Sequence, residues 1–364
     1  MAKILTKAVV LFCITIFLSE FAVYCVDTFF PCGIEISAIA IDPENPEIVY
    51  AINNSDLGVH IGVYKSTDNG GNWNLMSVIS GSSRAGISID SKNPQIIYVG
   101  NNKSINGGKT WNPIRNGLKS YESITKIIVY QYNTKILYSL TNASNANIVY
   151  KSINGGDSWT AIDTEKVGFC RAFAMDANNQ NILYGYFESK MKDSSGKERN
   201  IYGKEYGTTG EISKSVDGGA KWTSLLPAVE ITELVVDPNN PEIIYVGTYR
   251  QGVYRSLNGG KQWNTVKHGL PDGTRVSVFA FDPMNPEAVY VGTSSGLFFS
   301  ADHGDNWKHV GDGLHINVSF LAINPKNPAI IYAGNNVDGI FRTTDRGITW
   351  YPANAGLPEK SCRR

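Results

Sequence analysis

The chain carries no surplus of either charge: Lys+Arg 33 balances Asp+Glu 33, for a formal net charge of +0. That argues against a nucleic-acid binder, which carries a basic excess, and no nucleic-acid partner is expected. Cysteine is scarce, 5 in 364 residues, which suits neither a disulfide-dense scaffold nor a Cys₄ zinc module. The histidines (His60, His268, His303, His309 and His315) show no metal-ligand spacing. No Gly-x-Ser-x-Gly elbow occurs, and the Gly-Gly pairs sit in hairpin turns instead of before helices, so they cradle no phosphate. Neither a metal nor a cofactor is expected. What is abundant is Gly (36) and Tyr (19), with 42 % apolar residues. That composition suits a large core built from short strands and tight turns.

The longest apolar run, Ala8–Leu18, is too short to span a bilayer but has the length of a signal-peptide core. Lys3 and Lys7 precede it, and Val23-Tyr24-Cys25 offers a cleavage site. Residues 1–25 thus read as an export signal. An uncleaved anchor and a lipid-modified Cys25 are the alternatives, and Glu20 interrupts the apolar stretch needed for the first. The remainder, residues 26–364, is expected to be periplasmic, extracellular or at the cell surface, without a transmembrane helix.

The pattern Ser/Thr-x-Asp/Asn-x-Gly-x-x-Trp occurs seven times and ends on Trp73, Trp111, Trp159, Trp222, Trp263, Trp307 and Trp350, which are all the tryptophans. Its acidic or amide position is Asp68, Asn106, Asn154, Asp217, Asn258, Asp302 and Asp345. Spacings of 38, 48, 63, 41, 44 and 43 residues match a four-stranded repeat. Upstream of most copies lies Asp-Pro-x-Asn-Pro or a close relative, as in Asp42–Pro46, Asp237–Pro241 and Asp282–Pro286, followed by a strand holding a Tyr. Pro fixes φ and Asp or Asn bonds its own backbone, so this is a turn between two strands. In the copy spanning 229–266, the strands are expected at 231–236, 243–247, 252–255 and 262–266. The Ser, Asp/Asn and Trp of each copy are read as a folding device and not as chemistry.

Seven such units predict an all-β chain: one seven-bladed β-propeller with four antiparallel strands per blade. The blades are expected near 33–80, 81–118, 119–165, 166–226, 227–270, 271–314 and 315–358. The motif resembles the Asp-box (BNR) repeat of sialidases, sortilin-type receptors, xyloglucanases and photosystem II assembly factors. The resemblance covers about residues 33–358 and implies the fold; enzymes and binding proteins share it, so it implies no activity.

Both chain ends fall on blade boundaries, so no terminal strand completes a blade. Arg275 starts the inner strand twelve residues after Trp263, and the same count from Trp350 reaches Cys362, beside Cys32 at the start of blade one. A Cys32–Cys362 disulfide closing the ring is expected, contributing roughly 4–5 kcal/mol in the chain-entropy model. Cys170 is left as a lone buried thiol.

Box turns and Asp-Pro turns share one face of the disc, and variable loops occupy the other. The largest departure is Glu188–Thr209 in blade four, which carries Glu188, Lys190, Arg199, Tyr202 and Tyr206. With Tyr249 and Arg250 these are the candidate binding residues. A recurring Gly-Leu pair (Gly117-Leu118, Gly269-Leu270, Gly313-Leu314, Gly356-Leu357) reads as blade packing. The resemblance to sialidases implies an arginine triad and an Arg-Ile-Pro segment; no Arg-Ile-Pro is present, and Arg84, Arg171, Arg250 and Arg275 show no motif. The resemblance to xyloglucanases implies two propellers with an aspartate pair between them, and this chain has one ring. Glycoside hydrolysis needs two carboxylates roughly 5–9.5 Å apart; the weak candidates are Glu35, Glu122, Glu188 and Asp338. The expected function is an exported, non-catalytic scaffold for a protein or glycan partner, with a glycoside hydrolase or lectin-like protein as the alternative.

Overall fold

The computed structural model describes residues 36–54, 60–82, 84–142, 147–162, 169–188, 210–227, 230–314, 316–335 and 337–358. Among these the chain is all-β, with seven sheets of four antiparallel strands. The strands run β1 (Ala38–Ile41) to β4 (Asn74–Ser80) in blade I, then in sequence to β25 (Phe320–Ile323) through β28 (Tyr351–Pro352) in blade VII. Each sheet is built from four consecutive strands, so no blade borrows a strand from the other end of the chain. In blade V the strands are β17 (Ile231–Val236), β18 (Ile244–Thr248), β19 (Val253–Ser256) and β20 (Asn264–Thr265). These fall within two residues of the positions predicted from sequence.

The first strand of each blade lines the ring. β1 abuts both β5 (Ile87–Ile89) of blade II and β25 of blade VII, which closes the circle. Hydrophobic clusters lie between neighbouring blades. One joins Tyr245, Val253 and Val266 of blade V to Phe279, Val289 and Trp307 of blade VI, and another joins Val49 and Trp73 of blade I to Phe320, Tyr332 and Leu357 of blade VII. The strands flanked on both sides, such as β18 and β26 (Ile331–Asn335), are buried throughout.

The box turn is held by its first and third residues. In blade I, Ser66 Oγ donates to Asp68 Oδ1 (2.7 Å) and accepts from the N–H of Gly70, while Asp68 Oδ1 accepts from the N–H of Asn72 (2.8 Å). The other six copies repeat these bonds, with Asn replacing Asp in three. The fourth residue of every copy has positive φ; Asn69, His303 and Arg346 adopt it at 56–62° and Gly elsewhere. The carbonyl of this residue is the anchor for the preceding blade: the hydroxyls of Tyr50, Tyr98, Tyr245 and Tyr290 donate to Gly107, Gly155, His303 and Arg346, respectively. The tryptophans reach back. Indole N–H groups of Trp73, Trp159 and Trp307 donate to the carbonyls of Ala353, Ile114 and Val266 in the blade before.

The Gly-Leu pairs also join blades. Gly117, Gly269 and Gly356 have φ near 90°, and a Cβ on any of them would lie within 2.2 Å of the carbonyl oxygen of the next blade's tryptophan. Only glycine permits that approach. Cys32 and Cys362 lie outside the described residues. Cys170 is a buried free thiol, and burial pushes its pKa up. Among the described residues no helix is long and apolar enough to cross a membrane.

Candidate functional site

Because each sheet is antiparallel and consecutive, strand-one-to-two and three-to-four turns share one face, while two-to-three loops and inter-blade connections share the other. On the loop face, charged and aromatic side chains gather at the mouth between blades IV, V and VI. β14 (Leu183–Glu188) ends at Glu188, and β15 (Gly210–Ser215) begins opposite it at Gly210. Glu188 is buried, and its Oε2 accepts from Arg171 Nε at 2.7 Å. Arg171 lies on the inner strand β13 (Phe169–Met175) with its side chain half-exposed.

Behind this pair stands Tyr186. Its ring packs against Gly210, where a Cβ would sit 2.2 Å from the ring carbon Cζ. Its hydroxyl is buried without a hydrogen-bond partner among the described residues. Burial first, then the charges of Glu188 and Glu230, push its pKa up to about 12, with Arg171 acting in the opposite direction.

The Tyr249 loop completes the mouth. Thr248 Oγ1 donates to the Gly252 carbonyl and accepts from the Gln251 N–H, which fixes a tight loop and places Tyr249 and Arg250 at its tip. The Tyr249 N–H donates to the Glu230 carbonyl at 3.1 Å, linking the loop to the Tyr186 neighbourhood. The guanidinium carbons of Arg250 and Arg275 lie 5.6 and 5.4 Å from the Tyr249 ring centroid. Two guanidinium groups thus share one aromatic ring, and both arginines are exposed.

Lys126 of β9 (Ser123–Val129) and Glu233 of β17 pair at 3.1 Å. These inner strands belong to blades III and V, so the ion pair bridges the blades on either side of β13.

The sequence-derived candidates separate accordingly. Glu188, Tyr249 and Arg250 come together at this mouth, joined by Arg171 and Arg275. Glu122 is fully buried instead of open to ligand: its Oε2 accepts from the Tyr150 hydroxyl (2.6 Å) and the Lys119 N–H (3.0 Å), tying a connection to β11 (Val149–Ser152). Asp338 is exposed in blade VII, its Oδ2 accepting from Asn335 Nδ2 at 2.8 Å, away from the mouth. Glu35, Lys190, Arg199, Tyr202 and Tyr206 lie outside the described residues. Sequence reasoning did not single out Tyr186, Glu230, Lys126 or Glu233. Tyr186 follows Tyr184 in a strand of ordinary core pattern, and Glu230 belongs to a plain connection.

A separate cavity of about 180 Å³ opens on the seam between blades VII and I, lined by Gly70, Gly71, Arg342, Tyr351 and Asn354 among others. Nearby, the Tyr332 hydroxyl has no partner among the described residues, unlike its counterpart Tyr245 in blade V, which donates to the His303 carbonyl.

No protein-family profile matches the chain, and no curated protein matches it in sequence. Solved structures resemble it in fold. A GH74 enzyme from Niastella koreensis superposes with a TM-score of 0.58 at 21% identity over 87% of this chain and 58% of its own. A GH74 xyloglucanase from Xanthomonas campestris gives 0.56 at 14% identity over 91% of this chain and 62% of its own. This chain therefore spans about three-fifths of the length of these two enzymes. YCF48 bound to D1 peptide gives 0.58 at 15% identity, covering 86% of this chain and 94% of that one. At these identities the likeness extends to the propeller fold alone.

Proposed function

We propose that this chain is an exported, Asp-box-type propeller that acts as a non-catalytic scaffold, holding a protein or glycan partner at the mouth between blades IV, V and VI. The observation that carries this reading is the Tyr249 ring with the guanidinium groups of Arg250 and Arg275 against it, on the same face as the Arg171–Glu188 pair. Guanidinium groups held against an aromatic face offer planar donors to the carboxylates and carbonyls of a peptide, or to sugar hydroxyls beside a stacking ring. A protein partner is supported by the likeness to YCF48, solved with a peptide, which this chain matches over nearly its full length. A glycan partner is supported by the likeness to GH74 enzymes. The N-terminal Lys3, Lys7 and Ala8–Leu18 segment supports export to a periplasmic, extracellular or cell-surface location.

Pull-down of partners and a glycan array, run with the wild-type chain, the Tyr249→Ala/Arg275→Ala variant and a chain lacking residues 189–209, test the proposal. Loss of capture in the double variant is expected. Unchanged recovery in both altered chains would remove the mouth from the binding site. Glycoside hydrolysis is the second reading, supported by the likeness to GH74 enzymes and by the Glu188 carboxylate at this mouth. A screen of chromogenic glycosides decides it, because turnover abolished by Glu188→Gln would replace the scaffold reading with an enzymatic one.

A further inference from the structure

The second residue of the box turn divides the ring into two halves. In blades II to V it is Ile105, Ile153, Val216 and Leu257, which are 60, 71, 67 and 51% exposed. In blades VI, VII and I it is Ala301, Thr344 and Thr67. The hydrogen bonds that hold the turn come from its first and third residues, and Thr serves at the second in two blades. The fold thus has no need of an aliphatic side chain there, and four consecutive blades carry one facing solvent.

Charge divides the same face in the same way. The exposed lysines Lys92, Lys109, Lys135, Lys221 and Lys261 lie on the turns and adjoining segments of blades II to V, where Tyr132 is also exposed. The exposed acids of that half are Asp157, Asp217 and Glu242, and Lys103 pairs with Asp157 at 3.1 Å. The opposite half carries exposed Glu44, Glu47, Asp68, Glu287 and Asp305 against exposed Lys326 and Arg346. Met284, beside Glu287 in blade VI, and Ile348, beside Arg346 in blade VII, are exposed there. A net charge of +0 therefore conceals a face with one cationic, aliphatic arc and one acidic arc.

We propose that the box-turn face of blades II to V docks on a lipid bilayer bearing anionic headgroups. Ile105, Ile153, Val216 and Leu257 enter the interface and the lysines meet the phosphates. The fourfold repetition of one turn sets the aliphatic side chains on equivalent positions of a rigid disc, with lysines beside them. Separate apolar tips with polar turns between them lack the continuous apolar patch that a protein partner packs against, whereas a fluid interface takes each side chain singly. Lysines near anionic lipid add an attraction that falls with salt. This docking leaves the opposite, loop face free and does not depend on what binds there.

Flotation of the full-length chain with vesicles tests the proposal, using phosphatidylcholine alone and phosphatidylcholine with one part in about three of phosphatidylglycerol. Binding to the anionic vesicles, weakened by salt, is expected. Ile153→Asp/Val216→Asp and Lys109→Glu/Lys221→Glu/Lys261→Glu are each expected to lower it roughly tenfold or more. Thr67→Asp/Thr344→Asp on the acidic half is expected to leave it unchanged. The segment Ala8–Leu18 is common to all these chains, so the ratio between variants reports the disc. Equal binding by all variants overturns the proposal, as does equal loss in the Thr pair or no preference for anionic vesicles. Sedimentation velocity covers the remaining case: self-association abolished by the aliphatic substitutions would assign the arc to a second copy of this chain.

Discussion

Gly117 lies against the backbone of Trp159 in the next blade so closely that a Cβ would stand 2.0 Å from the Trp159 carbonyl oxygen. The same contact recurs at Gly269 with Trp307 and at Gly356 with Trp73. Gly117→Ala forces both a left-handed φ on alanine and a clash with main chain that cannot swing aside. A loss of roughly 2–5 kcal/mol is expected in chemical unfolding. Gly273→Ala is the control, because Gly273 has φ 73° yet nothing within 4 Å of the added carbon. It should cost only about 1 kcal/mol, from the backbone conformation. Equal losses in the two variants would show that the blade contact is not what demands glycine.

Acid should weaken the turns unevenly. Bonds from Ser66 and Asn72 hold Asp68 at about 2, and bonds from Thr343 and Thr349 hold Asp345 at about 2. In Asp302 burial pushes the carboxyl up, but bonds from Ser300 and Asn306 outweigh it and again leave about 2. A carboxyl lowered on folding contributes stability that is complete above its unfolded pKa, near 3.9, and is lost as pH falls through the folded value. The window is therefore about pH 4 to 2. Replacing these three with Asn, as blades II, III and V already have, should flatten the fall of melting temperature across that window. It should also lower neutral-pH melting modestly, because the amide lacks the charge that those bonds favour. A slope identical to wild type would assign acid sensitivity to other groups.

Tyrosine to phenylalanine substitutions should discriminate between interfaces. Tyr98→Phe removes a donor to the Gly155 carbonyl at 3.1 Å and is expected to cost about 1 kcal/mol. Tyr332→Phe, at the seam, removes a buried hydroxyl that has no partner among the described residues and should be neutral or stabilising. Urea unfolding of the two variants beside wild type measures the difference, and a larger loss at Tyr332 would reveal a bond at the seam.

A disulfide between Cys32 and Cys362 is predicted from sequence spacing, and intact-mass measurement with and without reduction tests it. The oxidised chain should be two hydrogens lighter, and reduction should lower the melting temperature, with a loss of roughly 5 kcal/mol in the chain-entropy model. Free thiols at both positions would leave ring closure to the packing of Trp73, Tyr332 and Leu357.

The scaffold was legible because it is repeated. Seven Trp copies, Asp-Pro turns and a Tyr in the second strand locate blade V's strands to within two residues, and the recurrence of the Gly-Leu pairs marks them as packing. The mouth was legible only in part. Tyr249, Arg250 and Glu188 were marked by their loops, whereas Lys126 and Glu233 are 107 positions apart and meet only when the ring brings blades III and V together. Glu122 misled for the opposite reason. An acid in a connection reads as exposed, yet the Tyr150 hydroxyl supplies the bond that lets it be buried.

The junction of blades VII and I has a further consequence. Trp73 donates to Ala353 across it just as Trp159 donates to Ile114 within the chain, and every sheet is complete in itself. The order in which the seven units are synthesised is therefore immaterial to the ring they form. A circular permutant that begins at residue 119 and ends at residue 118, with the present ends joined by a flexible linker, retains every blade and needs no new interface. The blade from which a translating ribosome starts is a matter of genetic history, and a fusion partner could be attached at any of the seven boundaries.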